Sequence, residues 1–463
     1  MFRSGTLEMT EGKPLYLLSI FAFPLLIGNL FQQAYNLADT MIVGRLLGAN
    51  SLAAVGCTSS ISFLFFSFFN GICSGCGVLT ARYFGARREE EVRRAIINSA
   101  YITLAFSLAS GLFAVLLTPR VLTAMKTPSV ILPEAITYMR LYSASVPFVA
   151  VYNYASAMQR ALGDSKTPLY FLIVSCILNV GLDFLFVGPG GMGVRGAALA
   201  TMLSQFLAGF GSLLYAYHVI PYFHLEKRFL SPRWPMIWEA VRLGVPMALQ
   251  WSLIAVSVTA LQSVVNTFGA TAVAAYTATN RLEQLVMQPY GSLSAALSTY
   301  CGQNMGAGRM ERIRAGFRDS LLAMGVMAAV MTGAMFFFGS FFVRLFVGEE
   351  AVVSMGARAL QITSIFYIFL GIIYVVRGVL NGVGDAFFAF LNGIVEIIGR
   401  LGLPLLLLRF TSLGVWACWV TVGLTWMMAA VGCVWRYHGW KRKVMRNFSG
   451  GKRETTIGTL AGK

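Results

Sequence analysis

The sequence predicts an all-α integral membrane protein with twelve transmembrane helices in two pseudo-symmetric six-helix bundles. Three observations carry that expectation. Of the 463 residues, 57% are hydrophobic and 12% charged, where a soluble domain carries about 25% charged residues. The apolar runs are long and continuous, whereas a membrane barrel alternates over segments of about ten residues. Short matches also recur at one spacing. Leu47-Gly48-Ala49 pairs with Phe268-Gly269-Ala270, Gly85-Ala86 with Gly306-Ala307, Gly163-Asp164 with Gly384-Asp385, and Gly193-Val194 with Gly414-Val415, each 221 residues apart. Four matches at one offset point to duplication. Each copy holds six spans, an even number, so the copies cross the membrane in the same sense, as a parallel repeat.

The spans fall at 15–39, 52–83, 95–118, 134–160, 168–187, 195–220, 237–266, 271–303, 318–346, 354–380, 386–408 and 413–435, each near or above the ~20 residues that cross a bilayer. The second, fourth, seventh and eighth are long enough to tilt or project. This divides the chain into an N-terminal lobe (1–220), a cytosolic linker (221–236) containing Pro221, Pro232 and Pro235, a C-terminal lobe (237–435) and a basic tail (436–463). The tail turns Gly/Ser/Thr-rich and is expected to be disordered and drawn to the membrane surface. The first apolar run exceeds the core of a cleavable signal and is expected to remain as a helix.

Charge sets the orientation. With the N-terminus cytosolic, 26 of the 36 Lys and Arg residues, Arg377 among them, fall on the cytosolic side and 7 on the other. That bias places both termini in the cytosol. It also accounts for the net charge of +17 without nucleic acid. All seven cysteines lie in apolar helices, and Cys73-Ser-Gly-Cys76 has no second pair or histidine near it. Buried thiols are expected, with no cofactor.

Asp39 is the one carboxylate of an otherwise apolar first span. A charge at the bilayer centre costs roughly 2.5–3.5 kcal/mol on insertion scales, so such a residue marks a function. In the fifth span Asn179 and Asp183 are four apart and share a face. Asp183 lies about 7.5 Å from the turn at Gly188, and Thr201 about 9 Å inside the sixth span, at 1.5 Å per residue. Asp39 ends the first span on that same outer side, so the four side chains are expected at similar depth. The offset of 221 sets Ala260 opposite Asp39, Arg400 opposite Asn179 and Pro404 opposite Asp183, so only one copy carries the carboxylates. Oxygen donors suit a proton or a hard cation. A Na⁺ site would draw on Asp39, Asn179 and Asp183.

Pro24 and Pro246 lie mid-helix in the first and seventh spans and are expected to kink them. Gln33, Tyr35, Asn153, Met247, Gln250 and Met287 are candidate lining residues of an adaptable substrate cavity. Glu283 and Glu396 are embedded too, each with an arginine nearby in sequence (Arg281, Arg400), and are expected to form structural pairs.

Asn36-x-x-Asp39-x-x-x-Val43-Gly44-Arg45-x-x-Gly48, the mid-helix Pro24, Leu162-Gly163-Asp164-x-Lys166-Thr167-Pro168 and the two fused six-helix halves together resemble the multidrug and toxic compound extrusion (MATE) transporters over 15–435. The resemblance is to the bacterial and archaeal subgroup with its cation site in the N-terminal lobe. It implies an antiporter that expels organic cations against H⁺ or Na⁺ by alternating access, and it carries the cation site onto Asp39, Asn179, Asp183 and Thr201. Another subgroup has an acidic residue in its seventh span. Here that span holds only Glu239, at its cytosolic end, with Gln250 the nearest polar candidate. The alternative is a lipid-linked oligosaccharide flippase of the same superfamily, which lines its cavity with several basic residues. Only Arg140, Arg281 and Arg400 are embedded here, so a cationic cargo fits better. No nucleophile–base pair marks an enzyme, and no GxxxxGK[ST] loop marks a nucleotide-driven pump. The expected partners are small amphipathic molecules and the bilayer, and the chain is expected to be monomeric.

Overall fold

The computed structural model describes residues 6–125, 127–224 and 226–449, apart from the side chains of 59–61, 64–66 and 443–449. Among the described residues there are helices and no strands. The long helices are α1 (Pro14–Leu47), α2 (Ala49–Gly85), α3 (Glu89–Ala124), α4 (Leu132–Ala161), α5 (Lys166–Val187), α6 (Val194–Val219), α7 (Trp234–Val265), α8 (Ala270–Gly306), α9 (Met310–Arg344), α10 (Glu350–Ser364), α11 (Tyr367–Gly382), α12 (Ala386–Phe410) and α13 (Ala417–Ser449). α10 and α11 are the arms of one span, bent by 52°, so the helices make twelve spans. Eight single helices, and that bent pair taken together, are long and apolar enough to cross a bilayer.

The duplication is visible in the backbone. Gly48 and Gly269 take φ of 87° and 90°, Gly163 and Gly384 89° and 81°, Gly193 and Gly414 59° and 55°. Arg87 at 55° corresponds to Gly308 at 68°. Each pair is 221 apart, and each marks a turn that starts or ends a helix. Glycine meets no Cβ penalty there. At Gly163 a Cβ would also stand 2.1 Å from the Leu7 carbonyl oxygen.

The helices gather into two compact units. Unit 1 comprises the residues up to Glu8 and Phe23–Ala248; unit 2 comprises Met9–Ala22 and the residues from Leu249 onward. Membership therefore changes inside two helices, beside Pro24 in α1 and two residues after Pro246 in α7. Proline removes one hydrogen bond of the helix ladder at each place. In unit 1, α4 packs along α2, α3 and α6, and α5 along α6; in unit 2, α11 packs along α8, α9 and α13, and α12 along α13. α1 and α7 pack less extensively. Within unit 1, α7 does cross α2 closely. A Cβ on Gly71 would fall 2.3 Å from the Ala248 backbone, and one on Gly75 2.3 Å from that of Gly244. Small residues four apart on both helices permit that approach.

Several expectations change. α1 does not end at Asp39 but runs on to Leu47, where Gly48 turns the chain. α13 continues through the start of the basic tail to Ser449. Tyr437 stacks on Phe317 at 4.1 Å and Arg436 pairs with Asp385 at 2.7 Å, which hold that extension on unit 2. Residues 450–463 lie outside the described residues. Arg377 is not at a cytosolic loop but buried in α11, 2.8 Å from Glu396.

Candidate functional site

α5 carries Asn179 and Asp183 on one buried face, at 1% and 0% exposure. Asn179 Nδ2 donates to Thr201 Oγ1 of α6 at 3.3 Å, and Thr201 Oγ1 donates to the Ala197 carbonyl at 3.1 Å. That pair ties α5 to α6. α1 supplies Asp39, half-buried, whose carboxyl lies within hydrogen-bonding range of the Asp183 carboxyl. One turn earlier on α1, Tyr35 lies within reach of Thr201. The four residues assigned to cation binding are thus brought together, all within unit 1.

Two tyrosines absent from the sequence reading complete the surround. Tyr138 and Tyr142 of α4 stack with centroids 6.1 Å apart, and both feel the charge of Asp39. Their i,i+4 spacing was the available signal. One turn farther along α1 and α5, Val43 and Val187 join Tyr138, Val194, Ala197 and Ala198 in an apolar cluster, with Leu47 and Val55 against it. This apolar cluster packs against one end of the site.

Such a site can hold one small positive charge. Two carboxyls at this separation in a low dielectric do not both stay ionised unless a proton or cation lies with them. The donors are all oxygens, namely two carboxylates, an amide carbonyl and hydroxyls, a set that fits H⁺ or Na⁺ better than a soft metal.

The cavity candidates are divided. Gln33, Tyr35, Asn153 and Met247 belong to unit 1, and Gln250 and Met287 to unit 2. Tyr35 stands at the carboxyl pair. Asn153 spends its Nδ2 on the Val149 carbonyl of its own helix at 2.9 Å. Met247 and Gln250 are buried, and Gln33 and Met287 half-buried.

The embedded charges of unit 2 behave differently. Glu396 lies 2.8 Å from Arg377 and 3.8 Å from Arg400. Arg377 also donates to Asn392 Oδ1 at 2.6 Å, and Arg400 to Ser257 Oγ at 2.8 Å. The expected Arg281–Glu283 pair is not formed. Residues two apart on a helix do not face one another, and Arg281 is exposed while Glu283 is buried beside Thr363 and within range of Arg400.

A family model described as MatE matches residues 24–185 and 246–400, one stretch in each repeat and more than half the chain together. The chain belongs to the MatE family. It is 30% identical over 380 residues to the probable multidrug resistance protein YpnP of Bacillus subtilis (strain 168), covering 81% of this chain and 84% of the relative. In fold it resembles the crystal structure of MATE in the straight conformation (TM-score 0.87, 23% identity, 96% of this chain and 100% of that one). It resembles equally the crystal structure of MATE in the bent conformation (TM-score 0.87, 24% identity, 94% and 98%). This MatE protein is a multi-pass membrane transporter and not an enzyme.

Proposed function

We propose that the chain is a secondary antiporter that exports amphipathic, often cationic, small molecules in exchange for H⁺ or Na⁺ by alternating access. The observation that carries this reading is the facing pair Asp39 and Asp183, with Asn179 and Thr201 beside it. A second carboxylate within hydrogen-bonding range makes the charge of the site depend on a bound proton or ion. The cation drives transport only by binding the inward and outward states with different affinities. α1 links the site to that change, because Asp39 lies beyond Pro24 on the same helix. A name of the type borne by YpnP supports drugs as cargo. Gln33, Tyr35, Asn153, Met247, Gln250 and Met287 are the proposed cargo contacts. Residues 1–220 and 237–435 are the proposed lobes, joined by 221–236. The protein is proposed to work as a monomer in a prokaryotic plasma membrane with both termini cytosolic.

The flippase alternative loses support from unit 2, where Arg377 and Arg400 are engaged with Glu396 and are poorly placed to hold a diphosphate. Efflux of a fluorescent lipophilic cation from proteoliposomes, under an imposed Na⁺ or H⁺ gradient, tests the proposal. Efflux should follow one of the gradients and stop when it is collapsed. Selective translocation of a polyprenyl-diphosphate glycan with no drug efflux would overturn it.

A further inference from the structure

α1 is built in two parts. Its outer part, from Phe23 on, carries Asp39 and belongs to unit 1, whereas its root, Pro14–Ala22, belongs to unit 2 together with the segment from Met9. That leading segment is held by side chains of α8 and α9. The Met9 N–H donates to Gln303 Oε1 at 2.8 Å. The Met9 carbonyl accepts from Asn304 Nδ2 at 3.1 Å and from Arg312 Nη2 at 3.3 Å. The Thr10 carbonyl accepts from Arg309 Nη1 at 2.5 Å. Arg312 Nε bonds Asn304 Oδ1 at 3.0 Å, so the clasp braces itself. Met9, Gln303 and Asn304 are each fully buried. Side chains here take up the backbone polar groups of a turn that belongs to no helix or sheet ladder.

Unit 1 repeats the device. The root of α7, Trp234–Ala248, belongs to unit 1, and the chain leading into it is held by α3. Arg93 Nη1 donates to the His224 carbonyl at 2.6 Å, Tyr101 OH to the Leu230 carbonyl at 2.6 Å, and the Arg233 N–H to Asn98 Oδ1 at 2.9 Å. Leu230 stands 221 residues after Met9. In both copies the carbonyl at that position is taken by side chains of the unit that owns the helix root. The helices so treated are the two with an internal proline at the change of membership and with the least extensive packing.

We propose that Gln303, Asn304 and Arg312 are positioning residues for antiport, fixing Met9 and the root of α1 to unit 2 so that a bend at Pro24 moves only the half bearing Asp39. This rests on the antiport reading. Without the clasp the root follows the outer half, and the charge state of the Asp39–Asp183 site is no longer converted into a change of conformation. Cation and drug binding need not change, because the clasp touches neither.

The test uses the full chain in nanodiscs and proteoliposomes, with Gln303→Leu, Asn304→Ala and Arg312→Ala, singly and together, and Gln303→Glu, which keeps an acceptor for the Met9 N–H. Hydrogen exchange of the amides at 15–22 should rise about tenfold in the clasp variants, in line with loss of one or two hydrogen bonds. Exchange at 26–47 should stay unchanged, as should equilibrium binding of a fluorescent lipophilic cation, while ion-driven efflux falls about tenfold. Gln303→Glu should restore both exchange and efflux. Raised exchange at 15–22 with wild-type efflux would overturn the proposal, as would unchanged exchange at the root. If wild type shows no ion-driven efflux, the antiport reading fails by itself. The clasp is then judged on gradient-free exchange of the same cation, where a tenfold loss upholds it and a wild-type rate overturns it.

Discussion

In unit 1 the carboxyl of Asp39 faces that of Asp183, with an amide and hydroxyls around them. In unit 2 the carboxyl of Glu396 lies between the guanidiniums of Arg377 and Arg400. The offset of 221 sets Glu283, Arg377 and Glu396 opposite Ser62, Ser156 and Ser175, and sets Asp39 and Asp183 opposite Ala260 and Pro404. One helical plan has thus been given two interiors. The charges of unit 2 answer one another inside the chain. The two carboxyls of unit 1 face one another instead, the arrangement the proposed coupling site would use.

Three changes sharpen that contrast. The largest effect is expected from Arg377→Ala, which leaves Glu396 buried with only the more distant Arg400. Removing one partner of a buried pair costs about 3–5 kcal/mol, so thermal unfolding in detergent should show a lower midpoint and a smaller folded yield. An unchanged midpoint would mean that unit 2 does not depend on its ion pairs. Next come Thr201→Ala and Asn179→Ala, which take oxygen ligands from the proposed cation site. Each should shift the half-saturating cation concentration of efflux upward by about tenfold, roughly 1.4 kcal/mol, and lower the unfolding midpoint less than Arg377→Ala does. A shift in drug affinity alone would assign these residues to the cargo instead. The smallest effect on coupling is expected from Glu283→Gln, since that carboxyl belongs to the interior of unit 2. Ion-driven efflux within about twofold of wild type supports the contrast, and complete uncoupling would mean that unit 2 also titrates during transport.

The sequence made the repeat, the twelve spans and the residues of the carboxyl pair legible, because each depends on spacing along the chain. Asn179 and Asp183 share a face by the helix period, and the unmatched carboxylates stood out against their counterparts 221 residues on. What spacing did not reach was contact between distant segments. Arg377 looked like a loop residue until packing put it 2.8 Å from Glu396. Tyr138 and Tyr142 were two aromatics among many until α4 was set beside α1. Arg281 and Glu283 do not pair because residues two apart in sequence point to different sides of a helix. The hold of Gln303 and Asn304 on Met9 links residues nearly three hundred apart, and no local pattern announces it.

The central claim is that Asp39 couples cation movement to export. Asp39→Asn removes the titratable charge at nearly constant volume, so it should leave the protein folded, inserted and able to bind the fluorescent cation. Measured side by side in proteoliposomes under the gradient that drives wild type, Asp39→Asn should show no gradient-dependent efflux, and Asp183→Asn should match it. Wild-type efflux from the Asp39→Asn protein under that same gradient would contradict the account.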